Sequence, residues 1–412
     1  MQYGLIGEKL GHSFSKDIHT SFFGLDYSLK ELTIEDVAPF LKDRNFKAIN
    51  VTIPYKNTVI PFLDYIDDTA KKIGAVNTIV NEDGILKGYN TDFLGLEFML
   101  EKSGIDFKEK NFLILGDGAT SKTAVAVAES LKAKSIIRVS RKGTDGTVSY
   151  AQAKELKDIQ IIINTTPVGM FPNLENTPID IESFPDLMGV FDVVYNPLRT
   201  KLVLSALKKG IVAFGGLYML VAQAVFAYEL FVGTKIPRSK IDSIYDTIYK
   251  QKQNIVLIGM PGSGKTTVGT LLAENMGLEF IDTDSLIVEK HGDITEIFKL
   301  KGESGFRDIE SKIIKDISAT QGKVIATGGG AVLRAENIKA LKQNGKIYFL
   351  DRPLESLQGT PDRPLSQNSA ELKKRYDERY GIYCECADVR ITENTTPKAA
   401  VRRIIDNENL SN

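Results

Sequence analysis

Short apolar runs alternate along this chain with longer segments in which apolar residues recur every three or four positions. The runs lie at residues 112–115, 136–139, 161–163, 190–194, 255–258, 324–326 and 347–350. A short apolar run is typical of a buried strand, and the longer spacing is typical of a helix that covers one face of a sheet. Because strands and helices that alternate in this way build parallel sheets, the pattern predicts an α/β fold.

The length of the chain and the pattern near its middle predict two functional halves. A chain of 412 residues exceeds the usual size of a single core. A helix-like stretch runs from Leu217 to about Lys250, and the polar residues 251–254 follow it. Since no Pro- or Gly-rich linker occurs there, we expect a short, stiff connection between residues 1–250 and residues 251–412.

Composition narrows the range of partners. The net charge of −1 gives no general attraction to nucleic acid or to an acidic membrane surface. No apolar run approaches the roughly 20 residues of a membrane span, and residues 1–7 resemble a strand rather than a signal peptide. Cys384 and Cys386 are too few ligands for a structural zinc site and are expected to stay reduced. We therefore expect a cytoplasmic protein with small-molecule substrates and no nucleic-acid or membrane partner; its oligomeric state stays open.

A phosphate-binding loop follows the apolar run at 255–258. It reads Gly259-Met-Pro-Gly262-Ser-Gly264-Lys265-Thr266 and opens a helical pattern. Glycines in such a loop let backbone N–H groups surround phosphate oxygens at a helix N-terminus. Lys265 can then reach the transferred phosphoryl group, and the hydroxyl of Thr266 can hold Mg²⁺. We predict an ATP site that consists of Gly262, Gly264, Lys265, Thr266 and Thr267.

A second nucleotide signal lies in the first half. The run at 112–115 is followed by a turn that contains Gly116, Gly118 and Ala119 and then by small residues at helical spacing. By itself, such a turn can also be a tight strand-to-helix corner. The next strand ends in Ser140-Arg141-Lys142, where an NAD site would carry an acidic residue for the ribose 2′-hydroxyl. Basic residues suit a 2′-phosphate, so the sequence favours NADP(H).

The first half also carries six ordered motifs. They are His12-Ser13-Phe-Ser15-Lys16, Asn50-Val-Thr52-Ile-Pro54-Tyr-Lys56, Gly74-Ala-Val-Asn77-Thr78, Gly88-Tyr-Asn90-Thr-Asp92, Asn164-Thr-Thr-Pro167-Val-Gly169-Met170 and Met219-Leu-Val-Ala-Gln223. This half resembles shikimate dehydrogenases. The resemblance implies a substrate domain at about 1–95 and 217–250 around a Rossmann NADP domain at 96–216. It also implies that the hydroxyls and carboxylate of a cyclohexene acid are bound by Ser13, Ser15, Thr52, Asn77 and Gln223, with Tyr195 in the same cleft.

The chemistry of ketone reduction explains one pair in these motifs. Hydride addition to a ring ketone develops alkoxide charge, which needs a proton and a nearby cation. A lysine held by a carboxylate supplies both, and Lys56 with Asp92 is that pair by the resemblance. Taken singly, Lys56 would be a surface lysine and Asp92 a helix N-cap.

Two motifs depart from the pattern of the family. Its Gly-rich turn usually reads Gly-Ala-Gly-Gly, and here Asp117 and Ala119 replace the second and fourth residues. An acidic side chain beside a pyrophosphate is expected to weaken cofactor binding unless it points away. The family's Asn-Arg-Thr after the second strand is Ser140-Arg141-Lys142 here, which keeps the arginine.

The second half resembles shikimate kinases, with a P-loop kinase fold. The matching pieces, besides the phosphate loop, are Asp282-Thr-Asp284, Gly305-Phe-Arg307-Asp-Ile-Glu310, Gly328-Gly329-Gly330, Arg363-Pro-Leu and Arg379-Tyr-Gly-Ile-Tyr383. The resemblance implies that Asp284 deprotonates the substrate hydroxyl and that Asp282 helps to hold Mg²⁺ through water.

Other roles on the kinase side follow from the same resemblance. Arg307 and Arg379 would clasp the substrate carboxylate, and Glu310, one helical turn from Arg307, would orient that arginine. The glycine triplet at 328–330, with Gly329 and Gly330, would allow close approach of the ring. Arg363 lies in a polar segment that fits a lid over ATP, where the arginine common near the start of the lid is replaced at about Gln358.

The two resemblances imply one route, because the shikimate that a shikimate dehydrogenase makes is the substrate of a shikimate kinase. We expect NADPH-dependent reduction of 3-dehydroshikimate followed by ATP- and Mg²⁺-dependent phosphorylation of shikimate. Two alternatives stay open for the first half. One is a quinate/shikimate dehydrogenase that uses NAD, and the other is a catalytically silent module that regulates the kinase.

Overall fold

The structure is a computed structural model that describes residues 1–11, 14–144, 146–357, 369–392 and 395–410. It is an α/β protein with parallel sheets, as the sequence predicts. The chain divides into two compact units. Unit 1 contains Met1–Met170, Asn176–Asn196 and Leu202–Thr247, and unit 2 contains Phe171–Glu175, Pro197–Lys201 and Ile248–Asn412. Within the described ranges, no helix is long and apolar enough to cross a membrane.

The first sheet of unit 1 contains the N-terminal strands. They are β1 (Tyr3–Gly7), β2 (Tyr27–Glu31), β3 (Ala48–Val51), β4 (Tyr65–Ile66), β5 (Thr78–Glu82) and β6 (Ile85–Tyr89), with helices α1 (Phe14–Phe23), α2 (Ile34–Asp43) and α3 (Asp68–Ile73). Their order is β2-β1-β3-β5-β6-β4, and β5 runs antiparallel to both β3 and β6. Every residue of β3 is buried, as expected for a strand covered on both faces.

The second sheet of unit 1 is parallel throughout. Its strands are β7 (Asn111–Leu115), β8 (Ser135–Ser140), β9 (Val148–Ser149), β10 (Ile161–Asn164), β11 (Gly189–Asp192) and β12 (Val212–Phe214), with helices α4 (Thr91–Glu101), α5 (Ala119–Ser130), α6 (Tyr150–Ala153) and α7 (Lys201–Lys208). The order is β12-β11-β10-β7-β8-β9, so the chain moves outward from β7 in both directions. Ligands of open α/β sheets bind at the carboxyl ends of the strands beside such a reversal.

The helix-like stretch predicted from 217 to 250 is in fact two helices, α8 (Leu217–Val232) and α9 (Ser239–Lys252). The break follows Val232, because Gly233 has a φ of 68°, a left-handed conformation that ends a helix. Helix α8 is buried on nearly all sides and packs on α4. A Cβ on Gly95 of α4 would lie 2.7 Å from the Met219 carbonyl oxygen, so glycine permits this close packing. The last of the boundaries between the units along the chain, at Thr247, lies inside α9.

Unit 2 is built on a five-stranded parallel sheet. Its strands are β13 (Asn254–Ile258), β14 (Glu279–Asp282), β15 (Lys323–Ala326), β16 (Gly345–Leu350) and β17 (Val389–Ile391), in the order β14-β15-β13-β16-β17. The helices are α10 (Lys265–Met276), α11 (Thr283–His291), α12 (Ile294–Ser318), α13 (Ala335–Asn344), α14 (Ser369–Cys386) and α15 (Pro397–Leu410). Two hydrophobic clusters pack on the two faces of β13 and β16, which places the centre of the sheet in the core.

Candidate active sites

A cleft of about 460 Å³ opens in unit 1 beside the carboxyl end of β3, the first turn of α4 and one face of α8. It brings together seven of the predicted residues, namely Ser15, Thr52, Lys56, Asn77, Asp92, Tyr195 and Gln223. These residues are distant in sequence, so only the fold assembles them. Ser13, which the resemblance also implies, lies outside the described residues.

Lys56 and Asp92 form an ion pair in this cleft. Lys56 Nζ donates to Asp92 Oδ2 at 2.5 Å, and the two side chains are 17% and 16% exposed. The N-cap of α4 is Asn90 rather than Asp92, because the Asn90 side chain accepts a hydrogen bond from Phe93 N at 3.1 Å. The carboxylate of Asp92 is therefore available to hold Lys56.

Asn77 is held in a buried network of hydrogen bonds. Its Oδ1 accepts from Thr91 N at 2.7 Å and from Thr78 Oγ1 at 3.0 Å, and its Nδ2 donates to Thr91 Oγ1 at 3.0 Å. Asn50 extends the network, since its Nδ2 donates to Thr78 Oγ1 at 3.1 Å and its Oδ1 accepts from Tyr27. The network fixes one wall of the cleft. Sequence reasoning quoted Asn50 within a motif and gave it no role.

Tyr195 and Gln223 also line the cleft. The ring of Tyr195 packs edge-on against Phe14 with centroids 5.3 Å apart, and burial raises the pKa of Tyr195. The phenol therefore stays protonated near neutral pH and can donate a hydrogen bond. Gln223 lies on α8, where its Nε2 donates to Leu220 O at 2.9 Å, and its side-chain oxygen accepts no hydrogen bond from a residue that the structure describes.

The turn after β7 has the shape that a dinucleotide needs. Gly116 has a φ of 115°, and a Cβ there would lie 2.6 Å from Thr165 Oγ1, so conformation and space both require glycine. A Cβ on Gly118 would meet no heavy atom of the described chain within 4 Å. Gly118 is also the N-cap of α5, which begins at Ala119. Because helix N-termini attract phosphate, the turn fits a pyrophosphate.

The loop after β8 presents two cations. Ser140 Oγ lies 2.7 Å from Thr147 Oγ1 and accepts from Gly143 N at 3.0 Å, which folds the loop back on the strand end. Arg141 and Lys142 are exposed, and neither forms an ion pair with any residue that the structure describes. This arrangement fits the 2′-phosphate of NADP(H).

Asp117, the departure in the Gly-rich turn, has a cationic partner. Its Oδ1 accepts a hydrogen bond from Arg138 Nη1 at 2.7 Å, and Arg138 lies on β8, next to β7 in the sheet. The expectation that this carboxylate repels a pyrophosphate took no account of Arg138, which offsets its charge.

The phosphate loop of unit 2 joins β13 to α10. Gly262 and Gly264 have φ of 81° and 87°, so their left-handed conformations favour glycine. Lys265 Nζ donates to the carbonyl oxygens of Gly259 and Met260 at 2.9 and 3.0 Å, across the loop itself. The lysine is thereby held over the loop that would receive phosphate groups.

Thr266 and Asp282 meet beside this loop. Thr266 Oγ1 donates to Asp282 Oδ2 at 2.7 Å, and Thr267 follows in the first turn of α10, also exposed. Within the described ranges no group of three His, Cys, Asp or Glu residues could hold a metal ion. Mg²⁺ commonly needs only one or two protein ligands besides phosphates and waters, so this hydroxyl and carboxylate fit it.

The glycine triplet lies against the residues implied to bind the second substrate. A Cβ on Gly330 would lie 2.1 Å from Arg307 Nη2, and one on Gly328 would lie 2.6 Å from Asp284 Oδ1. Arg307 Nη1 donates to Glu310 Oε2 at 2.7 Å. The Arg307–Glu310 pair is therefore buried against the triplet rather than a surface salt bridge.

Arg379 reaches the same place from α14. Its Nη1 donates to Gly329 O at 3.2 Å, and the hydroxyl of Tyr383 donates to the same oxygen. The sequence motif includes Tyr383 but gave it no role, although its spacing of four from Arg379 on a helix places both side chains on one face. Arg363 and Gln358 lie outside the described residues.

Three polar atoms at this site are buried without a partner anywhere in the described part of the chain. They are Arg307 Nε, Arg379 Nε and Glu310 Oε1. Burial raises the pKa of Glu310, against the opposing effect of Arg307. Two guanidinium groups that each keep a buried donor unused fit an anionic ligand such as a carboxylate.

Sequence comparison identifies the first half. Over 264 residues the chain is 38% identical to the shikimate dehydrogenase (NADP(+)) of Clostridium perfringens. The match covers 60% of this chain and 97% of that enzyme. The chain belongs to the shikimate dehydrogenase family. The shikimate dehydrogenase (NADP(+)) of Methanosphaera stadtmanae is also 38% identical, over 56% of this chain and 90% of its own length. The family model of the shikimate dehydrogenase substrate binding domain matches residues 5–79.

Solved structures of shikimate dehydrogenases show the same fold. The Thermus thermophilus enzyme in complex with NADP(H) and shikimate has a TM-score of 0.54 and 26% identity, covering 60% of this chain and 99% of that one. A chorismate mutase/shikimate 5-dehydrogenase fusion protein from Clostridium acetobutylicum has a TM-score of 0.56 and 34% identity, covering 60% of this chain and 96% of its own.

The second half matches a different family. Residues 261–408 match the family model of shikimate kinase, so the same chain carries a shikimate kinase domain after the dehydrogenase. Both resemblances stated from the sequence motifs are confirmed, and the chain is an enzyme in each half.

Proposed function

We propose that residues 1–250 reduce 3-dehydroshikimate to shikimate with NADPH and that residues 251–412 phosphorylate shikimate with ATP. The observation that carries the proposal is the Lys56–Asp92 ion pair, which lies in a cleft lined by every described residue implied to bind the cyclohexene acid. The kinase half is supported by the two buried guanidinium groups beside Asp284 and the phosphate loop.

In the dehydrogenase cleft, NADPH supplies hydride when it is bound. Lys56 then provides the cation and the proton where alkoxide charge develops, and Asp92 keeps its ammonium group in place. Asn77, fixed by Thr91, and the protonated phenol of Tyr195 hold the hydroxyls and carboxylate of the substrate. Because Lys56 and Asn77 are already hydrogen-bonded within the fold and the ring of Tyr195 packs on Phe14, these side chains lose little freedom when substrate binds.

In the kinase site, ATP supplies the phosphoryl group when it is bound. Asp284 accepts the proton of the attacking hydroxyl, and Arg307 and Arg379 hold the carboxylate of shikimate through their unused donors. Lys265 stabilises negative charge on the phosphoryl oxygens. Thr266 and Asp282 would hold Mg²⁺, the latter through water.

A coupled assay tests both halves together. The purified chain is supplied with 3-dehydroshikimate, NADPH and Mg-ATP, while NADPH absorbance and ADP release are followed. We expect ADP to form only when 3-dehydroshikimate is present, and Lys56→Ala to stop ADP formation until shikimate is added. Lys265→Ala should stop ADP formation while NADPH is still consumed.

The same assay separates the alternatives. Faster turnover with quinate and NAD than with shikimate and NADP would replace the proposal for the first half. Kinase activity with no NADPH consumption in a folded chain would mean a silent regulatory module. The ion pair of Lys56 and Asp92 argues against a silent module, because a binding module has no need of a proton donor held by a carboxylate in its cleft.

A further inference from the structure

Asp117 and Arg138 lie where the cofactor of the proposed dehydrogenase would bind. Asp117 sits between Gly116 and Gly118 in the turn after β7, and Arg138 lies on β8 opposite Ile114 of β7. The two side chains meet at 2.7 Å, and they are 43% and 28% exposed for Asp117 and Arg138 respectively. Exposed ion pairs contribute little to folding stability, so stability gives a weak reason for this pair.

The charge of Asp117 has a consequence for a dinucleotide. The open space at Gly118 and the N-terminus of α5 fit a pyrophosphate, so the adjacent carboxylate would lie close to two further negative charges. Like charges in a partly desolvated site weaken binding. Arg138 Nη1 contacts the carboxylate directly and offsets this repulsion.

Arg138 also approaches the loop after β8. A Cβ on Gly146 would lie 3.6 Å from Arg138 Nη2, so the guanidinium group reaches Gly146 as well as Asp117. Its second neighbour is the far end of the loop, beyond Arg141 and Lys142, so the contact with Asp117 is the one that lies beside the pyrophosphate position.

We propose that Arg138 is a positioning residue of the cofactor site, which holds and neutralises Asp117 so that the Gly-rich turn accepts a pyrophosphate. The proposal rests on the proposed NADP(H)-dependent function of residues 1–250. It differs from the role of Arg141, because a pyrophosphate is common to NADPH and NADH. Loss of Arg138 should therefore weaken the binding of NADPH and the binding of NADH by a similar factor.

Direct binding tests this without turnover. Dissociation constants of NADPH and NADH are measured by titration of cofactor fluorescence with the full chain and with Arg138→Ala, Asp117→Asn and the double variant. For Arg138→Ala we expect both constants to rise about fivefold to tenfold, with a smaller rise in high salt. Asp117→Asn should bind both cofactors at least as tightly as the unaltered chain. The dissociation constants of the double variant should lie within about twofold of those of the unaltered chain, because no carboxylate then needs a partner.

Lys209→Ala is the matched control, since Lys209 forms an exposed ion pair with Glu182 at 2.8 Å in the same unit. It should leave both dissociation constants unchanged. An effect of Arg138→Ala that Asp117→Asn does not rescue, or one confined to NADPH, would overturn the proposal. Absence of NADPH binding by the unaltered chain would overturn the proposed function and this inference with it, whereas normal binding by Arg138→Ala would overturn the inference alone.

Discussion

The two sites of this chain satisfy their polar groups in different ways. In the dehydrogenase cleft, Lys56 pairs with Asp92, and both ends of the Asn77 amide are bonded within the fold. In the kinase site, Arg307 and Arg379 each keep a buried Nε that bonds to no residue in the described ranges. The first site is held in place by its own side chains, and the second has donors that an anion would satisfy.

The difference has an energetic meaning. A buried donor without an acceptor costs about 1–3 kcal/mol, and a ligand that supplies the acceptor recovers this free energy on binding. The kinase site therefore gains new hydrogen bonds when substrate binds, whereas the dehydrogenase cleft gains mainly from groups that are already oriented. Variants that remove the key residue of each site should affect that site alone.

The largest effect is expected in the kinase site. Lys265→Ala and Asp284→Asn should each lower ADP formation from shikimate by roughly a thousandfold or more, because positioning and charge supply nearly all the catalysis of phosphoryl transfer. NADP-dependent oxidation of shikimate, measured by absorbance, should stay unchanged. Lys323→Ala, which removes an ion pair with Glu279 in the same unit, is the control. Loss of both activities in a folded variant would show that the two sites are interdependent.

Lys56→Ala should have the next largest effect. Turnover of 3-dehydroshikimate should fall by about two orders of magnitude, since the variant lacks the proton donor and the cation. The affinity for NADPH should change little, and ADP formation from added shikimate should be normal. Lys87→Ala, which removes an ion pair with Glu82 in the same sheet, should keep full activity. Near-normal reduction by Lys56→Ala would refute its catalytic role.

Acid should distinguish the two units. His19 is buried between the rings of Tyr27 and Phe231, and burial lowers its pKa to about 3. The unfolded chain binds this proton below about pH 6.5, so unit 1 loses stability as the pH falls below that value, by about 2 kcal/mol at pH 5. In unit 2 burial raises the pKa of Glu310, so the folded state binds this proton more readily than the unfolded chain does. The effect on stability is therefore opposite to that of His19: the contribution of Glu310 increases as the pH falls toward the pKa of an ordinary glutamate.

Hydrogen exchange with mass spectrometry, corrected for intrinsic rates, measures the two units separately. Protection of amides in β1 and β3 should decrease between pH 7 and pH 5, while protection in β13 and β16 should not show this loss. His19→Phe keeps a ring in the stack and removes the titration, so it should abolish the pH dependence in β1 and β3. Equal losses in His19→Phe and the unaltered chain would assign the effect to other groups.

Arg141→Ala tests the end of the cofactor site. The loss of a charge-assisted contact with a 2′-phosphate, typically about 1.5–3 kcal/mol, should weaken NADPH binding by roughly tenfold or more and leave NADH binding nearly unchanged. Cofactor fluorescence measures both constants, and Lys209→Ala again serves as the control. Equal losses for both cofactors would mean that Arg141 is structural.

Local patterns in the sequence predicted most of the fold, and motifs predicted the families. The apolar runs at 112–115 and 255–258 lie in β7 and β13, because a buried strand needs a continuous apolar segment. The same reasoning missed the break after α8, since apolar residues continue up to Val232 and only the left-handed Gly233 ends the helix. The left-handed conformation of this one glycine ended a helix that the spacing of apolar residues had predicted to continue.

Pairings between distant residues could not be predicted in the same way. Asp117 and Arg138 are 21 positions apart and meet only because β7 and β8 are neighbours in the sheet. Asn90 and Asp92 are both acceptable N-caps by residue type, and the start of α4 decides between them. Such choices depend on the register of strands and the first turn of a helix, which a single sequence does not specify.

Helix α8 determines the order in which the dehydrogenase half can assemble during synthesis. It carries Gln223 and packs on α4, yet it follows every strand of the second sheet in the chain. A nascent chain that has emerged only as far as β12 contains every strand of both sheets of unit 1, but the residues of the first sheet that pack on Ala227 and Phe231 of α8 are still uncovered and the cleft lacks Gln223. The second sheet therefore has all its strands before the cleft is complete, and a chain that stops before residue 217 should have no dehydrogenase activity.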